Sequence, residues 1–424
     1  MSTLRFFENK QSTKKRKKEL LIIFIIALFT ISTIFFYTYI KYAPITPSKY
    51  PKINIICNKT IERHDYVESS FELISENPKY SVSQLNSKIK LQGITNAELP
   101  KKGYRLELSE QKSLLGMRND DDWILFAMYL DYPRMRIKLS FDLWRSLEDT
   151  NPTAILPKSE YVVLYLNGEF RGLYLLAEKN DRRLFELDDA QNNIDSSLIF
   201  QAKSPECFRY YQDSLWEQDW PNEYEQIYIK EIILTNLISF INNTSDDEFF
   251  DPETGIYSIF DKLNLIDFFL FNYFQVHADF WSNNFFVIRN SNPNKFFLIP
   301  WDFDGCFGQK GHELQSAIVN HESLIREKNE LYNRLFDNEE FRECCKARWF
   351  ELRENLWTEE YILDILSDIY EEIKDILDFE MLDFSPKDHE KETGKKFLIE
   401  DYINDLFQWI PERLTFCDGY FSNF

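Results

Sequence analysis

The order of predicted strands and helices constrains the fold of this chain more than any other feature of its sequence. Alternating apolar and polar residues predict strands in the first half, and apolar runs on both sides of Asn167-Gly168 predict a hairpin. From about residue 225 onward the apolar residues recur at helical spacing, and a second hairpin interrupts the helices across 285–300. Strands therefore come first and helices second, which predicts an α+β chain with a β-rich front and a helical rear.

One uncharged segment, 20–40, is long enough to cross a membrane as a helix. At about 1.5 Å per residue it spans the roughly 30 Å hydrocarbon core. The five residues 14–18 are all basic and only Lys41 follows the segment, so the positive-inside rule places the N-terminus in the cytoplasm. A cleaved signal peptide is the alternative, but the segment ends in YTYIKYAP and lacks a small-x-small site. We therefore predict a single-pass cell-membrane protein whose main domain, after residue 40, is extracytoplasmic.

The sequence divides into five predicted parts. They are a basic cytoplasmic tail at 1–19, a transmembrane helix at 20–40, a tether at 41–52, a β-rich N-lobe at 53–180 and a helical C-lobe at 181–424.

Charge and cysteine spacing argue against two classes of function. Asp and Glu number 70 against 49 Lys and Arg, for a net charge of −21. Such a chain does not suit nonspecific nucleic-acid binding, which needs Lys and Arg to displace counterions. The six cysteines include no CxxC pair and the five histidines are scattered, which disfavours a zinc site or a metalloprotease.

The residues that indicate chemistry lie in 277–308, which reads HADFWSNN, then a hairpin, then PWDFDGCFG. Phosphoryl transfer needs a carboxylate to deprotonate the attacking hydroxyl, oxygen ligands for Mg²⁺ and a cation on the phosphates. In protein kinases the base Asp precedes a metal-binding Asn by five residues, and a hairpin then leads to a second Asp. The same order predicts Asp279 as the base, and Asn284 and Asp302 as ligands of Mg²⁺ or Mn²⁺. Each residue alone is also typical of a turn or a helix cap.

The front half offers candidate contacts to a nucleotide. A GxGxxG phosphate cradle is absent, but Lys101, Lys102 and Arg105 lie on or just before a predicted strand. Either Lys102 or Arg105 is the favoured phosphate-binding cation, and Asp142 on the predicted helix 133–147 is the candidate acid that pairs with it. Glu178, at the end of the first hairpin, is interpreted either as a ribose ligand or as a structural residue.

Five segments in this order resemble the CotH (spore coat protein H) kinase family. They are LPKKGYRLEL at 99–108, LLGMRNDDDWILFAMYLDYPRMRIKLSFDLWRSL at 114–147, YVVLYLNGEFRGLYLLAEKND at 161–181, IPWDFDGCFG at 299–308 and RLFDNEEFRECCKARWFELRE at 334–354. The resemblance covers roughly 50–424. It implies an atypical protein-kinase-like fold with two lobes, ATP as co-substrate with Mg²⁺, and phosphorylation of serine or threonine in a protein partner.

By motif position, the resemblance implies that Asp279 is the base and that Asn284 and Asp302 are metal ligands, with Asp304 as a helper. The sequence also departs from the family. The R-G-N-S loop of the family reads QGIT at 92–95, and the Asn of its R-N-x-L motif is Ile137.

Two other readings remain open. The first is a catalytically weak or inactive membrane-tethered scaffold for envelope or coat assembly, which the altered loop at 92–95 favours. The second is an enzyme that transfers a nucleotide to protein hydroxyls, because its metal ligands would look alike. A glycosidase with paired carboxylates is a remote third, since nothing in the spacing favours it.

Overall fold

The computed structural model describes residues 49–93, 98–188, 197–221, 223–277 and 284–424. The basic tail 1–19 and the predicted transmembrane helix 20–40 lie outside the described residues. Within the described ranges, no helix is both long and apolar enough to cross a membrane.

Seven strands in the first part of the chain close into a barrel, with neighbours in the order β1-β2-β3-β4-β5-β7-β6. Apolar residues at alternate positions, such as Ile53, Ile55 and Phe71, are fully buried in its core. The parallel pair β6–β1 closes the barrel and joins segments more than 100 residues apart. The strands are β1 Lys52–Cys57, β2 Val67–Ile74, β3 Val82–Leu91, β4 Tyr104–Ser113, β5 Asn119–Phe126, β6 Ser159–Leu166 and β7 Glu169–Glu178.

A second sheet has four antiparallel strands in the order β11-β10-β8-β9. The sequence predicted the β10–β11 hairpin, whereas the short strands β8 and β9 were missed. The strands are β8 Leu198–Ala202, β9 Trp216–Trp220, β10 Phe285–Arg289 and β11 Phe296–Pro300. A small hairpin of β12 Gln309–Lys310 and β13 Glu313–Leu314 follows.

Most of the remaining secondary structure in the described chain is helical, and α5 lies at the centre of these helices. From Asn264 to Gln275 every residue of α5 is buried, as expected of a helix at the centre of a domain, and its buried Asp267 forms an ion pair with Arg348 at 2.8 Å. It packs against β11, α8 and α11. The helices are α1 Arg136–Arg145, α2 Glu223–Asn243, α3 Asp246–Phe249, α4 Ile256–Ile259, α5 Lys262–Gln275, α6 Glu322–Lys328, α7 Glu330–Asp337, α8 Glu339–Asn355, α9 Glu359–Phe384, α10 His389–Thr393 and α11 Ile399–Ser422.

The predicted α+β class is confirmed, with most strands before most helices. The β-rich front is a closed barrel, a feature that the sequence analysis did not predict.

Candidate active site

The β10–β11 hairpin brings two predicted metal ligands to one end of the small sheet. Phe285 pairs with Pro300, and beyond this pair the Trp301 amide donates a hydrogen bond to the Asn284 carbonyl oxygen at 2.9 Å. Asp302 is the next residue along the chain. Because the hairpin is antiparallel, Asn284 and Asp302 lie at neighbouring positions despite their separation in sequence.

The backbone at Asp302 has an uncommon conformation. Its φ of 67° and ψ of 67° lie in the left-handed region, which residues other than glycine rarely adopt. Its side chain is exposed, whereas that of Phe303 is buried and packs on Phe141 and His277 with ring centroids 5.8 and 5.6 Å apart. Strained residues of this kind persist where the surroundings hold them, often at functional sites. Phe303 therefore anchors the turn that presents Asp302.

Arg136 holds the other side of the same turn. Its Nε donates to the Cys306 carbonyl at 2.9 Å, and its guanidinium also reaches the Phe307 carbonyl at 3.4 Å. A buried carboxylate, Asp131, pairs with Arg136 at 3.1 Å, and although burial raises the pKa of Asp131, Arg136 opposes that rise. The sequence analysis missed Arg136. The available signal was an arginine on the apolar face of α1, where Leu139 is also buried.

His277 lies where the central helix α5 meets the hairpin. It is buried, and its Nε2 donates to the Trp301 carbonyl at 2.9 Å. The next six residues, 278–283, lie outside the described residues, and they include the predicted base Asp279. The two residues that flank this segment, His277 and Asn284, both line the same cleft. The role of Asp279 stays a prediction.

That cleft has a volume of about 1230 Å³ and separates the barrel from one face of the small sheet. Arg105 lines its barrel side, and Asn284, Asp302 and Asp304 line the opposite side. Ligand pockets of about 300–1,000 Å³ hold drug-sized molecules, so this cleft has room for a nucleotide and part of a second substrate. Four of the predicted site residues are thus brought together.

Besides Lys179, which forms an ion pair, the barrel side of the cleft carries the cations Arg63, Lys90 and Arg105. None of these three forms an ion pair with a carboxylate of the described residues, although Arg105 Nε donates to Gln92 Oε1 at 2.8 Å. Lys90 lies directly opposite Arg105 in the β3–β4 register. Partial burial lowers the pKa of Lys90, and Arg105 and Lys179 lower it further. Like charges opposite each other destabilise a sheet, so this arrangement favours an anion in the cleft.

The surroundings of one cleft carboxylate, Asp219, raise its pKa. Asp219 is open to the cleft interior, yet the walls around it reduce its solvation and raise its pKa to about 6, with a further rise from Glu217. Arg105, Lys203 and Lys179 oppose this shift.

The structure places Lys102 and Glu178 outside the lining of the cleft. Glu178 is buried, and its two carboxylate oxygens accept hydrogen bonds from the Arg118 and Lys158 amides at 2.8 and 2.9 Å. The carboxylate therefore ties together two turns of the barrel, which corresponds to the structural alternative for this residue. The carbonyl of Lys102, just before β4, accepts a hydrogen bond from Tyr174 at 2.7 Å.

Asp142, the predicted partner of the phosphate-binding cation, instead forms an ion pair with Lys138 of its own helix at 3.1 Å. The acid that pairs with Lys101, just before β4, is Glu380 of α9. Glu380 contacts Lys101 at 2.5 Å and Arg134 at 2.8 Å, and all three side chains are buried. Burial lowers the pKa of Lys101 to about 7, helped by Arg134 and opposed by Glu380. Burial alone would raise the pKa of Glu380, but the two cations hold it below its usual value. This cluster joins α9 to the barrel.

Three carboxylates elsewhere, Asp120, Asp122 and Asp181, lie close enough together to share a metal ion. They are instead ion-paired with basic side chains. Arg183 contacts all three at 2.8 to 3.3 Å, and Arg118 contacts Asp120 at 2.7 Å. This arrangement supports a structural cluster at the edge of the cleft.

Comparison with known proteins identifies the family. A family model described as CotH kinase protein matches residues 89–417, more than three quarters of the chain. The chain belongs to the CotH kinase protein family. Inner spore coat protein H of Bacillus subtilis (strain 168) is similar, with 25% identity over 372 residues that cover 83% of this chain and 95% of the relative.

A solved structure, that of the Helicobacter pylori proinflammatory kinase CtkA, also resembles this CotH family chain. It is 12% identical and has a TM-score of 0.26, over 75% of this chain and 94% of the other. A likeness at that score supports no statement about the site.

Proposed function

We propose that this CotH family protein is an atypical protein kinase that transfers the γ-phosphate of ATP to serine or threonine hydroxyls of a protein. The observation that supports the proposal most is the charge arrangement of the cleft. Lys90 and Arg105 lie on one side, and Asn284 and Asp302 lie on the other. A triphosphate that carries a divalent cation needs basic side chains for its phosphate oxygens and oxygen ligands for its metal ion.

Asn284, Asp302 and Asp304 suit Mg²⁺ because an amide oxygen and two carboxylates form an all-oxygen donor set. Mg²⁺ bound to these residues would neutralise charge on the transferring phosphate. The protein would hold these three metal ligands in position. The buried Phe303 and the Arg136 contacts to the carbonyls of Cys306 and Phe307 fix the turn after Asp302.

Asp279 is proposed as the base. Its carboxylate accepts the proton of the acceptor hydroxyl while that oxygen bonds to the γ-phosphorus, and the bond from this phosphorus to the bridging oxygen breaks to release ADP. The position of Asp279 between His277 and Asn284, both at the cleft, supports the role.

The cations on the barrel side would bind the phosphates that do not react. At position 92, where the family has arginine, the Gln92 side chain accepts a hydrogen bond from Arg105 and so orients that guanidinium. Gln92 and Gly93 both line the cleft. Although position 92 lacks the arginine of the family, Arg105 therefore still supplies a cation for the nucleotide.

We also propose that segment 20–40 anchors the protein in the cell membrane with the kinase domain outside the cytoplasm. The supporting observation is its uncharged length, with five basic residues at 14–18 before it and Lys41 alone directly after it.

The test of the proposed function is label transfer by the purified full-length protein. With Mg²⁺ or Mn²⁺ present, γ-labelled ATP should label dephosphorylated casein, a serine-rich protein, or the enzyme itself, and α-labelled ATP should not. A chelator should abolish the label. Label from α-labelled ATP would instead indicate nucleotide transfer. The absence of label from both nucleotides would contradict an enzymatic role and favour the scaffold.

Lys90→Met is expected to weaken ATP binding by roughly tenfold, because it removes a charge-assisted contact to phosphate. Titration with Mg²⁺ and a fluorescent ATP analogue measures the affinity. Lys102→Met serves as the matched control, since Lys102 lies outside the lining of the cleft. An effect of Lys102→Met as large as that of Lys90→Met would contradict this assignment of the phosphate contact.

A further inference from the structure

Asp219 is a carboxylate of the cleft to which the proposed reaction gives no role. It lies on β9, the edge strand of the small sheet, and its exposed side chain lines the cleft. Among the described residues it forms no hydrogen bond and no ion pair. Glu217, on the same face of β9, is instead ion-paired with Lys203. Both oxygens of a carboxylate accept hydrogen bonds, so Asp219 is able to bind donors of a ligand.

The register of the sheet places Asp219 away from the proposed metal ligands. Ile288 of β10 lies opposite Ile199 of β8, and Ile199 lies opposite Trp220 of β9. Asp219 directly precedes Trp220. Strand β9 is two strands from β10, about 10 Å, and Ile288 is about 13 Å along its strand from Asn284, so the backbones of Asp219 and Asn284 are roughly 15 Å apart. Two short side chains cannot reach one Mg²⁺ across that distance, because its ligands lie about 2 Å away.

The charges around Asp219 favour a neutral donor over a cation. Arg105, Lys203 and Lys179 all lie near enough to lower its pKa against the effect of desolvation. A lysine or arginine of an acceptor protein would meet these like charges. Hydroxyl groups donate hydrogen bonds to a carboxylate without adding charge. Asp219 is already poorly solvated by the cleft walls, so such donors would displace little water from it.

We propose that Asp219 binds the ribose hydroxyls of the nucleotide, so that the cleft selects ribonucleotides. The inference rests on the proposed use of ATP. Glu178, the residue that the sequence suggested as a ribose ligand, is buried and accepts from two backbone amides instead. In dinucleotide-binding folds a carboxylate accepts a hydrogen bond from the ribose in this way. Ile199 and Trp220 line the cleft beside Asp219 and supply apolar surface for the attached base.

The test compares the binding of ATP and of 2′,3′-dideoxy-ATP to the full-length protein with Mg²⁺. Both displace an ATP analogue that carries a fluorophore on its base. We expect wild type to bind ATP about tenfold more tightly, as one hydrogen bond to a charged group would give. Asp219→Ala should bring the ratio of the two affinities close to one, with thermal unfolding as the check on the fold. Glu217→Gln is the matched control and should keep the wild-type ratio, since Glu217 is paired with Lys203.

Three results would overturn the inference. They are equal affinity of wild type for the two nucleotides, an unchanged ratio in Asp219→Ala, and an equal loss of selection in Glu217→Gln. Label transfer from γ-labelled ATP separates this inference from the proposed function. Transfer by a wild-type protein that binds both nucleotides equally would contradict the ribose contact and leave the kinase standing. Ribose selection that depends on Asp219, without any transfer, would support the contact and contradict the kinase.

Discussion

Asp302→Ala is expected to reduce phosphoryl transfer by about 10³-fold while the protein stays folded. Asp302 lines the cleft next to Asn284 and is exposed, so its loss removes a proposed metal ligand without opening a cavity in the core. The measurement is the rate of label transfer from γ-labelled ATP at saturating Mg²⁺, with thermal unfolding as the check on the fold.

Asp302→Asn is the matched control for this prediction. Asparagine tolerates the left-handed conformation that residue 302 adopts, and it keeps the shape of the side chain while removing its charge. A similar loss in Asp302→Asn would show that the carboxylate itself is needed. Full activity in Asp302→Asn and Asp302→Ala alike would contradict a metal-binding role for this residue.

Glu380→Ala is expected to lower the free energy of unfolding by about 3–5 kcal/mol, because it leaves buried cations without their counter-charge. Glu380 accepts from Arg134, and it also accepts from the Leu173 amide and Lys101. Chemical denaturation measures the change. Lys101→Met is the matched variant, since it removes one of two cations and leaves the Arg134–Glu380 pair, so it should cost much less. Equal losses in Glu380→Ala and Lys101→Met would contradict this account.

The same cluster predicts a pH dependence of stability. The pKa of Lys101 is lowered in the folded protein to about 7, against an ordinary value of 10.5. Between these values the unfolded chain binds more protons than the folded one, so the free energy of unfolding rises with pH across this window. The contribution is at most about 1.4 kcal/mol per pH unit. It should appear as a difference in slope between wild type and Lys101→Met from pH 7 to 9, and parallel curves would exclude it.

The sequence predicts the parts of the fold that rest on local patterns. The β10–β11 hairpin was found because two apolar runs flank a short turn, and helix α1 was found because its apolar residues recur at helical spacing. Barrel closure was missed because the parallel pair β1–β6 joins distant segments. Strands β8 and β9 were missed because β9, WEQDW, is mostly polar and the two strands are too far apart in sequence for a tight turn to mark them as a hairpin.

In the candidate site too, local neighbours were predicted from the sequence and contacts between distant segments were missed. Asn284 and Asp302 were predicted as neighbours because a single hairpin joins them. Lys90 was missed, because the expected cation belongs to the strand after the turn, whereas the cross-strand register places Lys90 beside Arg105. The contact from Arg136 to the Cys306 carbonyl spans 170 residues, and the contact from Lys101 to Glu380 spans 279. Contacts at such separations leave no pattern in a single sequence.

The most direct test of the proposed kinase compares wild type with Asp279→Asn in one assay. Both full-length proteins are incubated with Mg²⁺ and γ-labelled ATP, and label on the protein acceptor is measured alongside ATP binding. The account predicts label with wild type, loss of label with Asp279→Asn, and similar ATP affinity for both. Equal label in the two proteins would contradict the role of Asp279 as the base, and no label in either would contradict the kinase itself.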